Sequence, residues 1–187
     1  MDERKWIERI LAGDTQSFSC LVAKYEKMAY TIALRILENR EEAEEAVQDA
    51  FVKMYRALSD FHFDSKFSTW FYRIVYRTAL TALRQQRMFV SYEEAGPVDL
   101  SNDEVESATA LLEREDRKEM IARTLKKFPA DEALLLTLYY LEECSVEEIC
   151  QITELSASNV KVKLFRGRKR FYEVLQDKMK LETADLL

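Results

Sequence analysis

Two stretches of this 187-residue chain combine several basic residues with no carboxylate at all. Residues 65–92 carry five cations, Lys66, Arg73, Arg77, Arg84 and Arg87. Residues 155–172 carry six, Lys161, Lys163, Arg166, Arg168, Lys169 and Arg170. Because the net charge of the chain is −6, removing charges of +5 and +6 leaves −17 on all other residues. A solvated helix face usually mixes both signs, so this segregation favours a nucleic-acid binder whose other surfaces have other partners.

The second basic stretch separates into two faces at about 100° per residue. Val160, Leu164 and Phe171 share one side and are expected to pack inward. The opposite side carries Ser158, Val162, Phe165, Arg166 and Lys169, with Lys161, Lys163, Arg168 and Arg170 beside them. An arginine can bind guanine bidentately or hold a phosphate, and apolar side chains can contact thymine methyl groups. An exposed phenylalanine among cations therefore favours a surface that reads duplex DNA.

The first basic stretch differs because aromatic residues interleave its cations. These are Phe67, Trp70, Phe71, Tyr72 and Tyr76, and Phe61 and Phe63 precede them. Trp70, Ile74 and Leu80 fall at helical spacing, so part of the set is expected in a core. Cations beside aromatic rings are also what a protein needs to hold unpaired bases by stacking. From the residues alone, a packed core and a single-strand site both remain open.

Both stretches must be positioned by helices, because the chain has few residues that make tight turns. Three glycines and two prolines with 48% apolar content indicate an all-α protein with short connections. Periodicity predicts a first helix ended by Gly13, a second over about 15–37, and a third after Asn39 with glutamates in its first turns. A fourth helix, which Ser68 could cap, carries the first basic stretch to about Met88.

The second half of the chain begins with an acidic segment. Seven carboxylates and no base lie between Arg87 and Arg114, and Gly96-Pro97 interrupts them, so we expect a linker. Helices are predicted over about 108–127 and, after a break at Pro129, through residues 134–141. Ser145 and Glu148 fit a capping box that opens a short helix, and Leu155-Ser156 marks a turn before the last one. The last two helices predict a helix-turn-helix, whose second helix enters a major groove.

Composition excludes several other classes of protein. No apolar run approaches the roughly 20 residues that span a bilayer, and the N-terminus leads into no signal-like core, so a cytoplasmic location is expected. Cys20, Cys144 and Cys150 lack C-x-x-C spacing and are expected to be buried free thiols. The single histidine, His62, has no metal-ligating neighbour and is flanked by phenylalanines. We therefore expect no metal, no cofactor and no catalytic residues.

Five segments, in this order and spacing, resemble a bacterial RNA polymerase sigma factor. The family is sigma-70, and the type is the extracytoplasmic-function (ECF) sigma factor, which has only the second and fourth conserved regions. The segments are residues 43–51 (AEEAVQDAF), 66–74 (KFSTWFYRI), 128–129 (FP), 145–149 (SVEEI) and 159–168 (NVKVKLFRGR). The resemblance implies an all-α fold of two small helical domains, with a region 2 bundle over 1–90, a flexible acidic linker over 91–107 and a region 4 helix-turn-helix domain over 108–187.

The resemblance also implies partners and site residues. The protein would bind core RNA polymerase, on the clamp helices of the largest subunit and the flap of the second-largest, and would direct promoter recognition and transcription initiation, with catalysis left to the polymerase. The implied docking residues are Gln48, Asp49, Val52 and Tyr55. The residues implied to melt and hold the minus-ten element are Phe61, Phe63, Lys66, Trp70, Tyr72, Arg73, Tyr76, Arg77 and Arg84. Those implied to read the minus-thirty-five duplex are Ser158, Asn159, Lys161, Val162, Lys163, Phe165, Arg166 and Lys169.

The family further implies an anti-sigma factor as partner, which could hold the protein at the membrane. Two positions depart from the family pattern: Arg77 and Thr81 stand where asparagine and aspartate are usual, so minus-ten base preference does not carry over. Phe128 replaces a usual leucine, which changes packing. Two other classes remain as alternatives. A helix-turn-helix regulator without polymerase docking leaves the aromatic basic helix unexplained, and a structural adaptor leaves both basic stretches unexplained.

Overall fold

The structure is a computed structural model that describes residues 3–90, 124–125 and 128–184. All regular elements of this described part are helical, as predicted. They are α1 (Glu3–Leu11), α2 (Gln16–Leu37), α3 (Arg40–Arg56), a 3₁₀ helix (Leu58–Asp60), α4 (Phe67–Val90), α5 (Ala130–Tyr140), α6 (Val146–Thr153) and α7 (Ala157–Ala184). The predicted linker and most of the predicted helix over 108–127 lie outside the described residues.

Local side-chain chemistry explains the first two helix boundaries. Gly13 follows α1 with φ of +97°, a left-handed conformation that glycine adopts without strain. The Asp14 carboxylate then accepts hydrogen bonds from the Gln16 backbone at 3.0 Å and from Ser17 Oγ at 2.9 Å, which starts α2. Asn39 starts α3 in the same way, since its side chain accepts from the Glu42 backbone at 3.2 Å.

The prediction that Ser68 caps α4 is wrong. The backbone N–H of Trp70 already donates to the Lys66 carbonyl at 3.1 Å, so helical hydrogen bonding begins two residues before the serine. Phe67 is the first helical residue, and its ring is buried against Tyr25, with centroids 5.4 Å apart. Burial of this ring, a tertiary effect, sets the start of α4.

The first four helices form one bundle around an apolar core. α2 lies at its centre and packs against α1, α3 and α4. Ile7, Leu21, Ile32 and Met54 are completely buried there. Phe71 extends the core from α4 and packs on Phe51 of α3, with ring centroids 4.8 Å apart.

The last three helices form a second, smaller bundle. Buried leucines and isoleucines from α5 and α6 face Val160 and Leu164 of α7. Gly167 allows α7 to approach α5 closely, because a Cβ at this position would lie 2.9 Å from Leu136 Cδ1. The two bundles also contact each other, α4 against α6 and α2 against α5. Because of this contact, α4 packs against the second bundle, and its basic residues lie next to helix α6.

Candidate nucleic-acid interface

α6 and α7 form the predicted helix-turn-helix, and both starts are capped as expected. Ser145 Oγ accepts from the Glu148 backbone at 3.1 Å, while the Glu148 carboxylate accepts from the Ser145 backbone at 2.8 Å. Both halves of the predicted capping box are thus present. Ser156 Oγ accepts from the Asn159 backbone at 3.3 Å and starts α7. The turn between the helices passes through Glu154, whose φ is +62°.

α7 presents its predicted outer face to solvent. Phe165 is 67% exposed and Val162 is 44% exposed, whereas Val160 and Leu164 are buried beneath them. The other outward side chains of the predicted duplex-reading set are Ser158, Asn159, Lys161, Arg166 and Lys169, all exposed. Val162 and Phe165 lie three residues apart on the helix, so their exposed apolar surfaces adjoin within a ring of polar and basic side chains.

The cations of α7 divide into two groups. Lys163 forms an ion pair with Asp131, and Arg170 Nη1 lies 3.1 Å from Glu132 Oε2, so these two tie α7 to the start of α5. Lys161, Arg166 and Lys169 make no ion pair with any residue that the structure describes. The uncompensated positive charge of this helix therefore surrounds Phe165.

Many of the aromatic residues of α4 and the preceding turn belong to the core. Phe61, Phe67, Phe71 and Tyr72 are all less than 8% exposed. Trp70 is half-buried, and its ring packs on Phe61 with centroids 5.0 Å apart. Of the two roles that the sequence allows for these aromatic residues, packing in a core is therefore correct for most of them. A base-stacking role for Phe61 and Tyr72 remains a prediction.

Phe63 is the exposed aromatic residue next to this cluster. It is 37% exposed, and its backbone adopts φ of +61°, which is uncommon for a bulky residue. Its ring packs near that of Phe61, with centroids 4.8 Å apart and the two planes inclined at 56°. The Arg4 guanidinium lies over the ring, 4.6 Å from its centroid. An exposed ring beside a cation is suited to stacking on an unpaired base.

The cations of α4 are accessible to different degrees. Arg84 is exposed and Arg73 is half-buried, while Lys66 and Arg77 are exposed but ion-paired with glutamates of the second bundle. Tyr76 is half-buried; burial raises its pKa, and the negative charges of Glu154 and Asp131 raise it further. Its hydroxyl therefore stays protonated and neutral.

Sequence reasoning missed three glutamates that contact α4. They are Glu142, which accepts from the Tyr72 hydroxyl at 2.8 Å, Glu148, which pairs with Lys66 at 3.0 Å, and Glu154, which accepts from Arg77 Nε at 2.7 Å. The sequence does contain one indication of them, which is charge. Residues 142–154 contain five glutamates and no base, so this segment is opposite in sign to α4. What the sequence could not indicate is that the two segments meet.

The predicted docking residues lie together on one face of α3. Gln48 and Asp49 are exposed, Val52 is 48% exposed and Tyr55 is 47% exposed. The Tyr55 ring packs edge-on against Phe18 of α2, with centroids 5.1 Å apart, which fixes its position. This face combines exposed apolar area with polar neighbours, a composition suited to protein contact.

The histidine and the cysteines are the other side chains that were considered as functional groups. No cluster of three His, Cys, Asp or Glu side chains that could hold a metal ion occurs in residues 3–90, 124–125 and 128–184. His62 is exposed. Cys144 is buried as expected, but the expectation of burial is wrong for Cys20, which is exposed on α2. Within the same described ranges, we find no helix with the length and apolarity needed to cross a membrane.

Two family models match this chain. Residues 21–88 match Sigma-70 region 2, and this range includes most of α2, all of α3 and nearly all of α4. Residues 118–171 match Sigma-70, region 4, which includes α5, α6 and the exposed face of α7.

Curated relatives cover nearly the whole chain. The RNA polymerase sigma-H factor of Pseudomonas aeruginosa is 31% identical over 181 residues, which is 93% of this chain and 94% of that protein. The ECF RNA polymerase sigma-E factor of Escherichia coli K12 is 30% identical over 170 residues, covering 87% and 88%.

Two solved structures share the fold. The sigma factor RpoE from Bartonella quintana, in complex with the anti-sigma factor NepR, superposes with a TM-score of 0.68 at 17% identity and covers 87% of this chain and 98% of that one. CnrH, in complex with the cytosolic domain of CnrY, gives a TM-score of 0.60 at 22% identity and covers 93% and 97%.

Proposed function

This chain belongs to the sigma-70 family of bacterial RNA polymerase sigma factors, in the ECF group, and from that premise we propose how its two basic helices divide promoter recognition. As a sigma factor, the protein binds core RNA polymerase and directs promoter recognition and transcription initiation. The observation that carries our assignment of surfaces is Phe165, exposed on α7 beside Arg166 and Lys169, which form no ion pair with any described residue.

α7 is the duplex reader of the minus-thirty-five element in this proposal. Its outer face offers Arg166 for a guanine edge or a phosphate, and Val162 and Phe165 for thymine methyl groups. Lys161 and Lys169 are placed to neutralise flanking phosphates. Lys163 contributes less, because Asp131 already satisfies its charge.

α4 is the helix that holds the melted minus-ten strand. Lys66, Arg73, Arg77 and Arg84 supply positive charge along it, and Phe63 and Trp70 supply ring surface at its start. The hydroxyl of Thr81 donates to the Arg77 carbonyl at 2.8 Å, so it is already engaged within the helix. We therefore assign base contact in this region to the rings and backbone contact to the cations.

α3 supplies the docking face for core polymerase, through Gln48, Asp49, Val52 and Tyr55 on the clamp helices, while the second bundle rests on the flap. In this division, residues 1–90 form the region 2 domain, 91–107 the linker and 108–187 the region 4 domain. In this proposal the polymerase, and not this chain, performs the chemistry. We place the protein in the cytoplasm with its polymerase, with an anti-sigma factor as its controlling partner.

Reconstituted transcription tests this division of labour. Holoenzyme assembled from the source organism's core polymerase and this chain is used to select transcribed fragments from the genome. The double variant Phe165→Ala/Arg166→Ala should then lose on the order of 1–3 kcal/mol in binding the duplex upstream element, as expected when a bidentate base contact is removed. Its affinity for core polymerase should equal that of the unaltered protein.

Tyr172→Ala/Glu173→Ala is the matched control, because these side chains are exposed on α7 beyond the residues assigned to base contact. Equal loss of core affinity in the Phe165/Arg166 variant would make this part of α7 structural. Failure of the unaltered chain to bind core polymerase would instead support a helix-turn-helix regulator that acts beside another sigma factor.

A further inference from the structure

Two acids in the first turn of α5, Asp131 and Glu132, pair with two cations of the helix that we assign to duplex reading. Asp131 forms an ion pair with Lys163, and Glu132 Oε2 lies 3.1 Å from Arg170 Nη1. Because Lys163 and Arg170 are seven residues apart, they lie on the same side of α7, about 10.5 Å from each other along the helix. The start of α5 is therefore joined to this side of α7 at two points.

Acidic residues in a first turn also stabilise a helix through its dipole, but that role alone needs no partner. Asp131 has one on each oxygen: Oδ1 accepts from the Glu132 backbone N–H at 2.9 Å, and Oδ2 accepts from Lys163. Partial burial raises the pKa of Asp131, but the hydrogen bonds from Lys163 and from the Glu132 backbone outweigh this and hold the pKa below its usual range. The carboxylate is consequently ionised at neutral pH and compensates the charge of Lys163.

The two ion pairs differ in their surroundings. The Glu132 side chain keeps only 13% of its surface in solvent, and the Arg170 guanidinium also lies 5.9 Å from the centroid of the Phe128 ring. That pair belongs to the packing of the bundle. The Asp131 side chain is 56% exposed and the Lys163 side chain is 27% exposed. The charge of Asp131 can therefore be removed with little effect on the core.

Lys163 lies beside the duplex-reading face of α7. At 100° per residue it is about 60° around the helix from Arg166, since residues three apart are neighbours on a helix surface. A lysine ammonium sits on a flexible stem of four carbons, so without Asp131 it could turn toward a phosphate that flanks this face. It would then join Lys161, Arg166 and Lys169, which form no ion pair with any residue that the structure describes.

A further phosphate contact would strengthen binding to every duplex, whatever its sequence. Phosphate contacts carry no sequence information, and each one adds about 0.9 to the slope of log affinity against log salt concentration. Base contacts strengthen binding to the preferred sequence only. The number of cations that α7 offers to phosphates thus sets the sequence-independent part of its affinity, and the Asp131 pair lowers this number by one.

We propose that Asp131 is a positioning residue for the duplex-reading face: by holding Lys163 away from DNA phosphates, it limits the part of duplex affinity that is independent of sequence. Binding by α7 then depends to a larger extent on the base contacts of Phe165 and Arg166. This inference rests on the duplex-reading role proposed for α7. It goes beyond that role because Asp131 lies on a neighbouring helix and acts through Lys163.

The test measures binding of the full-length chain to a labelled duplex of mixed sequence by fluorescence anisotropy, at salt concentrations between about 50 and 200 mM. Asp131→Asn removes the charge and keeps a side-chain oxygen for the Glu132 backbone N–H. Lys163→Gln is made alone and together with Asp131→Asn. Glu143→Gln is the control, since it removes one charge of the same bundle from an exposed position that forms no ion pair with any described residue. Circular dichroism establishes that all variants are folded.

Asp131→Asn should bind the mixed duplex more tightly and should steepen the salt slope by about 0.9, the value for one additional phosphate. Between 50 and 200 mM salt its affinity should fall about 3.5-fold further than that of the unaltered protein. Lys163→Gln alone should leave the slope unchanged, because Asp131 already holds this lysine. Adding Lys163→Gln to Asp131→Asn should return the slope to its original value, and the control should not alter it.

An unchanged slope in Asp131→Asn would overturn the proposal, as would a steeper slope that persists when Lys163→Gln is added. A shallower slope in Lys163→Gln alone would also overturn it, because Lys163 would then contact phosphate in spite of Asp131. Binding of the upstream element selected by transcription keeps the premise distinguishable. If Phe165→Ala/Arg166→Ala weakens that binding while Asp131→Asn leaves the slope unchanged, only the role of Asp131 is refuted. If that double variant binds the element as tightly as the unaltered protein, duplex reading by α7 is refuted and this inference with it.

Discussion

Replacing Gly167 by alanine tests whether close packing of α7 on α5 positions the DNA-reading face. The added Cβ would lie 2.9 Å from Leu136 Cδ1 and 3.2 Å from its Cγ, which is too close without a shift of one helix or the other side chain. Overpacking of a core costs about 1–3 kcal/mol. Alanine also favours the helix by about 1 kcal/mol over glycine. The expected net result is destabilisation by up to about 2 kcal/mol.

A double-mutant cycle separates these two terms. Leu136 is buried, so Leu136→Ala alone should cost about 2–5 kcal/mol. In that background the clash is gone, and Gly167→Ala should instead stabilise by about 1 kcal/mol, because helix propensity is the term that remains. The sign of the glycine substitution should therefore reverse between the two backgrounds, with a coupling energy of about 1–3 kcal/mol.

Chemical denaturation followed by circular dichroism measures all four proteins of this cycle. Binding of the duplex upstream element should weaken in Gly167→Ala and recover in the double variant, because Phe165 and Arg166 lie on the turn that the shift would displace. If Gly167→Ala stabilises the unaltered protein by about 1 kcal/mol, α7 does not approach α5 as closely as described, and the argument fails.

Two further predictions concern the cap of α6 and the thiols. Ser145→Ala should destabilise the chain by about 1 kcal/mol in the same denaturation assay, because the Glu148 backbone N–H loses its acceptor, whereas Ser145→Asp should retain most of the stability. Burial, together with the negative charges of Glu148 and Glu142, raises the pKa of the Cys144 thiol to about 12. Ellman's reagent at pH 8 should therefore modify exposed Cys20 rapidly and Cys144 only on unfolding; rapid modification of Cys144 in the folded chain would contradict the described burial. The same shift stabilises the fold below the unfolded thiol pKa of about 9, and this contribution should decline as pH rises toward 12.

The two faces of α7 were predictable because the helical period alone separates them. Val160 and Leu164 repeat at a spacing of four residues and are buried, while Phe165 and Arg166 fall opposite and are exposed. The capping box of α6 was predictable for a similar reason, since it depends on residues three apart. Periodicity and capping patterns predict the structure correctly where the interacting residues lie within about one turn of the same helix.

The start of α4 and the fate of its aromatic residues were not predictable in this way. Ser68 is a favourable cap by type, but burial of Phe67 in the first bundle starts the helix earlier. Tyr72 is an aromatic residue among cations, as expected of a base-stacking residue. Its ring is nevertheless buried, and its hydroxyl donates to Glu142, 70 positions away in the sequence. Contacts over such separations depend on tertiary packing, which composition and periodicity do not encode.

The two basic stretches therefore carry similar charge, +5 and +6, but differ in how much of it is accessible to solvent. On α7 the acids of α5 neutralise Lys163 and Arg170 at the margins and leave the centre around Phe165 open. On α4, Glu148 and Glu154 of the second bundle pair with Lys66 and Arg77 on the face that we assign to the melted strand. A promoter offers its duplex before its strands separate, so a protein with this arrangement can contact upstream DNA first.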